Sequence, residues 1–175
     1  MTRKARALVL STALAAALSG CSGGSYSTPD ALCGVPVGSA ALAPLLPDGQ
    51  KLEQSVTRFG PKAYTCTVSV DGKDVVYVAD SLTGVRDDPV ASMHYTLVGL
   101  GNLQKATVGD DARVADRGGI AVSACTHEGS RQKFAALVML LKHPVPKATA
   151  DRRKALEDFL RAYLPKAMAA ENCRR

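Results

Sequence analysis

The stretch 64-YTCTVSVDGKDVVYVAD-80 decides the fold. Tyr64, Cys66, Val68 and Val70 alternate with Thr65, Thr67 and Ser69, the period of two expected of a strand with one buried face. Asp71-Gly72 follows, a dipeptide that favours a two-residue type I′ loop because both of its residues must adopt a positive φ. Lys73 to Asp80 then returns as the partner strand. The domain is thus founded on an antiparallel hairpin, and its neighbours are to be read as additions to that sheet or covers for it.

Downstream, "SMHYTLVGL" reads as a third strand, with Met93, Tyr95 and Leu97 on one side and Ser92, His94 and Thr96 on the other. Residues 99–118 form a polar segment containing Gly and Asp, after which "GGIAVSACT" is again strand-like and "HEGS" a loop. The run "RQKFAALVMLLK", residues 131–142, fits either a helical face through Phe134, Leu137, Val138 and Leu141 or a central strand apolar on both sides. Its position after a strand and a Gly-containing loop favours the strand.

Two helices are expected to cover the sheet. "TADRRKALEDFLRAYLPKAMAAENC" carries an apolar stripe of Leu156, Phe159, Leu160, Tyr163 and Leu164, with Arg152, Arg153, Glu157 and Arg161 placed away from it. Pro165 is expected to kink or end that helix. A short helix is expected from Ser39 as N-cap, burying Leu42, Leu45 and Leu46, with Pro44 near its first turn and the "PDG" of 47–49 closing it. The predicted class is α+β: an antiparallel sheet of about four to five strands packed against a C-terminal amphipathic helix and a short N-terminal one.

Before this domain the chain has a different character. Arg3, Lys4 and Arg6 precede an apolar run from Ala7 to Leu18, and small residues lead to Cys21. That is the layout of a secretory leader, and the run is too short to span a hydrocarbon core of about 30 Å comfortably. "SGGSYSTPD" then reads as a Gly/Ser tether. The division expected is a leader over 1–20, Cys21 and tether over 21–31, and a single domain over 32–175.

The ending "LSGC" resembles the lipobox of bacterial lipoproteins. By that resemblance Cys21 is joined through its sulfur to diacylglycerol, with acyl chains such as palmitate, and becomes the first residue of the processed chain. Four cysteines remain, Cys33, Cys66, Cys125 and Cys173. An even number in an exported chain suggests two disulfides, for which three connectivities exist. The favoured pairing is Cys33 with Cys66 and Cys125 with Cys173, tying the domain's start to its first strand and the chain's end to a late one. Each loop would contribute about 4 kcal/mol by chain entropy. No CxxC pair or close Cys/His spacing supports a metal alternative.

The whole arrangement resembles small exported lipoproteins of high-GC, Gram-positive actinobacteria, Streptomyces-like chains many of which are assigned only to families of unknown function. The resemblance rests on "LSGC", the Gly/Ser tether, "ALCGVPVG", "YTCTVSV" and "RRKALEDFLRAYLPKA". It implies an α+β binding or accessory module held on the extracytoplasmic face of the cell membrane. It supplies no catalytic residue.

Charge and chemistry narrow the classes further. The formal charge is +6, and removal of Arg3, Lys4 and Arg6 leaves 19 basic against 16 acidic side chains, about +3. The basic excess gathers at the C-terminal end, where it can meet anionic headgroups or an acidic partner, or simply face water. Trp is absent and aromatic residues are few, so no stacking platform for nucleic acid is indicated. No phosphate-binding loop, dinucleotide fingerprint or other cofactor motif occurs.

A hydrolytic set can be sketched from Ser123, His127 and one of Asp110, Asp111 or Asp116, with Glu128 beside the histidine, but no GxSxG elbow supports it. His94, His127 and His143 form no metal-ligand spacing, and "GDDARVAD" lacks the oxygen-ligand spacing of a calcium loop. Tyr64, Tyr77 and Tyr95 are candidates to line a pocket. The leading expectation is a lipid-anchored envelope module binding a protein, peptide or small amphiphile. The alternatives are a small envelope hydrolase using His127 and a structural subunit docking to a membrane complex.

Overall fold

The computed structural model describes residues 26–60 and 63–175. Cys21 and residues 1–20, read above as a leader, lie outside these residues. The founding hairpin forms as its pattern requires. Strand β2 (Ala63–Val70) and strand β3 (Lys73–Gly84) join through Asp71 and Gly72, whose φ values of 51° and 72° are those of a type I′ turn. Tyr64, Cys66, Val68 and Val70 are buried and their sequence neighbours half-buried. Opposite them the register shifts between Val68 and Ser69, a bulge that leaves both Val75 and Val76 of β3 buried.

The sheet has seven antiparallel strands, not four or five, in the order β1-β2-β3-β7-β6-β5-β4. The hairpin is extended outward by β1 (Leu52–Arg58). On its inner side lie β7 (Ser130–Leu140) and β6 (Gly118–His127), then β5 (Asp111–Ala115) and β4 (Gln104–Ala106). The ambiguous run 131–142 is therefore a strand in the middle of the sheet. Covered on both faces, it has no use for polar alternation. The loop of "HEGS" is a second tight turn, with Glu128 and Gly129 at positive φ.

The count rises because three strands are short or carry too little apolar alternation to stand out. β1 is an outer strand with almost every side chain exposed or half-exposed, β4 has three residues, and β5 lies in the segment read as polar. They are held by backbone pairing with better-patterned neighbours. One predicted strand is lost. "SMHYTLVGL" falls on two short helices, α2 (Pro89–Ser92) and α3 (His94–Gly99), after α1 (Ser39–Leu42) in chain order. The cause lies just upstream: Asp88 is an N-cap whose carboxylate accepts from the Ala91 amide at 3.0 Å, and Pro89 sits in the first turn. Val90, Met93 and Leu97 then fall on one side at helical spacing and pack inward, while Tyr95 is 89% exposed.

The α1 helix starts at Ser39, but its N-cap is Gly38, and the Ser39 amide donates to Asp30 Oδ1 at 3.1 Å. A 3₁₀ turn from Ala43 to Leu45 continues it, with Pro44 in its first turn. The long helix α4 (Thr149–Ala170) buries Leu156, Phe159, Leu160, Tyr163 and Leu164 as expected. It also runs through Pro165. The Arg161 carbonyl that loses its amide partner there lies on the helix's exposed side, where water can satisfy it. Arg152 departs from expectation: it is only 8% exposed, and its guanidinium donates to the carbonyls of Asp116 at 2.6 Å and Pro146 at 2.7 Å, bracing the start of α4.

Both disulfides form with the favoured pairing. Cys33 and Cys66 have Cα atoms 6.0 Å apart, and Cys125 and Cys173 are at 5.4 Å, both within the usual span. Two apolar clusters result. The larger lies between α4, the α1 region and one face of the sheet. The smaller lies on the opposite face, where α2 and α3 cover Ile120, Val122, Ala135 and Leu137. Across β1, β2 and β3 that second face has no helix over it. Among the described residues no helix is long and apolar enough to cross a membrane.

Candidate functional site

Because side chains alternate along a strand, the residues of β2 and β3 that turn away from α4 form one surface. These are Thr65 and, on β3, Tyr77, Ala79, Ser81 and Thr83, all half-buried. Next to them β7 contributes Leu137 and Met139 to the same face. The edge of α2–α3 stands over this surface with Met93 and Thr96, leaving a groove of about 610 Å³. That volume lies in the range of small-molecule sites. Phe59, 62% exposed at the end of β1, stands at its rim.

The groove's polar groups are almost all hydroxyls. Ser92 Oγ donates to the Asp88 carbonyl at 2.9 Å, and Thr83 Oγ1 points to the Lys133 carbonyl at 3.5 Å. The hydroxyls of Thr65, Tyr77, Ser81 and Thr96 have no partner among the described residues. One carboxylate borders the site: Asp87 Oδ2 accepts from the Gly84 amide at 2.6 Å, and the Asp87 carbonyl accepts from Lys133 Nζ at 2.6 Å. Apolar floor, free hydroxyls and little charge together describe a place for an amphiphile.

Behind this floor sits an unusual carboxyl. Asp80 is 2% exposed on the α4 face of β3, where Tyr163 donates to its Oδ2 at 2.7 Å. The Tyr64 and Tyr163 hydroxyls are also 2.7 Å apart, so Tyr64 donates to Tyr163. Asp80 Oδ1 has no partner. Burial pushes the Asp80 carboxyl up to about 7, against the lowering effect of the tyrosine hydrogen bonds. Burial first, and the Asp80 charge second, raise both tyrosines above their ordinary range.

A second crevice, of about 650 Å³, lies at the other end of the molecule between α4 and the β5–β6 side. It is floored by Val108, Leu164 and Met168 and edged by Arg161, Arg174 and Arg175. Two of its cations are already matched: Arg161 pairs with Glu157 at 2.6 Å and Asp158 at 2.9 Å, and Arg175 with Asp110 at 3.0 Å. Two of its three arginines are thus paired with carboxylates of the same chain, whereas the Thr65, Tyr77, Ser81 and Thr96 hydroxyls of the groove have no partner among the described residues. The groove is therefore the stronger candidate.

The residues sketched as a hydrolytic set are dispersed. Ser123 is fully buried beside the second crevice, and its Oγ accepts from Arg175. His127 meets the Glu171 carbonyl through Nδ1 at 2.9 Å and lies 3.8 Å from Glu128 through Nε2. Four residues along a strand separate Ser123 from His127 by roughly 13 Å, with Cys125 between them. Asp110 Oδ2 accepts from the Ala124 amide at 2.6 Å, Asp111 pairs with Arg113, and Asp116 pairs with Arg153. None of the three carboxylates is bonded to His127.

His94 stacks edge-on with Tyr95, and among the described residues no group of three His, Cys, Asp or Glu side chains converges as a metal site would need. Of the three tyrosines, Tyr64 and Tyr77 both line the groove, with the Tyr64 hydroxyl turned to Tyr163, while Tyr95 is exposed away from it. The groove's other hydroxyls passed unnoticed in the sequence, although the run Thr65, Thr67 and Ser69 opposite the buried phase of β2 was their signal. No protein-family model, curated protein or solved structure matches this chain.

Proposed function

We propose that this chain is a lipid-anchored module of the cell envelope, held on the extracytoplasmic face of the membrane through Cys21, that binds a small amphiphile in the groove between the open sheet face and α2–α3. The groove carries the proposal: it combines an apolar floor with the Thr65, Tyr77, Ser81 and Thr96 hydroxyls, which have no partner among the described residues. The anchor is supported by the basic leader, the short apolar run and "LSGC". Tyr26 already packs on the domain and its hydroxyl meets the Pro47 carbonyl, so the roughly five residues from Cys21 to Tyr26 reach at most roughly 18 Å and a bound lipid-like ligand need not travel far from the bilayer.

Two measurements test the two halves separately. Cys21→Ser should move the chain from the membrane fraction to the soluble one while both disulfides still form; retained anchoring would contradict the lipid attachment. Ala79→Trp places an indole on the half-buried floor of the groove. Native mass spectrometry of chain extracted gently from membranes should find a small lipid on the wild type and little on Ala79→Trp. Equal retention by both, or none on either, would count against the groove.

A further inference from the structure

The balance of charge around the groove says what kind of amphiphile it suits. Resting on the proposed ligand-binding role, we infer that the groove selects an uncharged, hydroxyl-bearing head, of the monoacylglycerol or lipid-alcohol kind, over a fatty acid or an anionic phospholipid.

Among the described residues no cationic side chain lines the groove. Of the described cations around it, Lys133 turns its ammonium to the Asp87 carbonyl and borders a neighbouring crevice shared with Asp88, Asp110 and Asp111, while Arg58 lies over the Tyr64 ring and pairs with Glu171 at 3.7 Å. Asp87 contributes the carboxylate that does face the site, and it is already fixed by the Gly84 amide. An anionic head brought here would lose water, gain no cation and meet a like charge, which is costly in a half-enclosed site. A hydroxyl head loses less and gains partners. The Thr65, Ser81, Thr96 and Tyr77 hydroxyls can each donate or accept, so they match a head that also does both. Meanwhile the side chains of Leu137, Met139 and Met93 offer the acyl chain an apolar bed, and methionine adapts readily to chain shape.

The second crevice makes the contrast within one molecule. There, three arginines surround an apolar floor, and a carboxylate or phosphate head would find cations. Among the described residues nothing comparable lines the groove.

The test uses the full 175-residue chain carrying Cys21→Ser, so that its own lipid does not compete. Three ligands with the same ten-carbon chain are titrated by calorimetry at pH 8, below their micelle concentrations: monodecanoylglycerol, decanoate and decyltrimethylammonium. Monodecanoylglycerol should bind about tenfold or more tighter than decanoate, the scale of one or two hydrogen bonds, with decyltrimethylammonium weakened less than decanoate because it meets the Asp87 carboxylate rather than repelling it. In the combined variant Thr65→Val, Tyr77→Phe and Ser81→Ala, shapes are nearly kept and hydroxyls removed. Its preference should shrink to about threefold or less, mainly through weaker monodecanoylglycerol binding.

Ala79→Trp should weaken all three ligands together. Decanoate binding as tightly as monodecanoylglycerol, with both lost in Ala79→Trp, would overturn the head preference and leave the groove standing. No measurable binding of any of the three would overturn both.

Discussion

One sheet presents two different faces, and the contrast between them organises the molecule. Toward α4 the sheet is sealed: Leu156, Phe159, Leu160 and Tyr163 are buried against it, and even Asp80 is enclosed with two tyrosines rather than left to water. On the other face α2 and α3 cover only the β6–β7 side, and the β2–β3 side keeps a row of hydroxyls half-exposed. A sealed face contributes stability. A half-covered one contributes a site, because polar groups there remain free to pair with something else.

The largest effect should come from opening the sealed face. Phe159→Ala removes a fully buried ring from the centre of α4 packing and should destabilise the fold by roughly 3 to 5 kcal/mol, read from the midpoint of urea denaturation. The buried Asp80 gives that face a pH signature of nearly the same size. Its carboxyl titrates near 7 when folded, against an ordinary value of 3.8. Between those values the folded chain holds a proton that the unfolded chain has lost. Stability therefore falls as pH rises from about 4 to about 7 and levels off above, by on the order of 4 kcal/mol from this group. Asp80→Asn should remove that part of the slope; parallel pH profiles for the two chains would contradict it.

Smaller effects belong to the hairpin and the surface. Gly72→Val forces a branched residue to a φ of 72° and should cost about 1 to 3 kcal/mol, whereas Lys73→Ala next to it should cost a few tenths at most. Ala79→Trp, on the open face, should change stability by less than about 1 kcal/mol while abolishing ligand retention. That separation of stability from binding is the sharpest consequence of the two-faced sheet. Least of all, Glu157→Ala breaks an exposed pair with Arg161 and should shift stability by about 0.3 kcal/mol, fading with added salt.

What the sequence made legible follows the same division. The sealed face writes itself into the chain as period-two burial in Tyr64 to Val70 and as the helical stripe from Leu156 to Leu164, because burial demands apolar residues at fixed spacing. The cysteine pairing was legible for a related reason: each pair joins a chain end to a patterned strand.

The open face leaves a weaker trace. Strands such as β1 and β4 are held by backbone hydrogen bonds, which place little demand on side chains. In residues 92–100 two periodicities competed, and Asp88-Pro89 just upstream decided for helices. The groove depends on where α2 and α3 stop over the sheet, a tertiary fact that no single segment encodes. His127 and Ser123, by contrast, were conspicuous as residue types, and the fold gives each a different local partner.

The most direct test is to ask which face a ligand touches. Nuclear magnetic resonance spectra of the isotope-labelled, oxidised Cys21→Ser chain can be followed as monodecanoylglycerol is added. Shifts concentrated at Ala79, Met93, Leu137 and Met139 are the predicted result. Shifts confined to Val108, Leu164 and Met168 in the arginine-edged crevice would contradict the assignment of function to the open face.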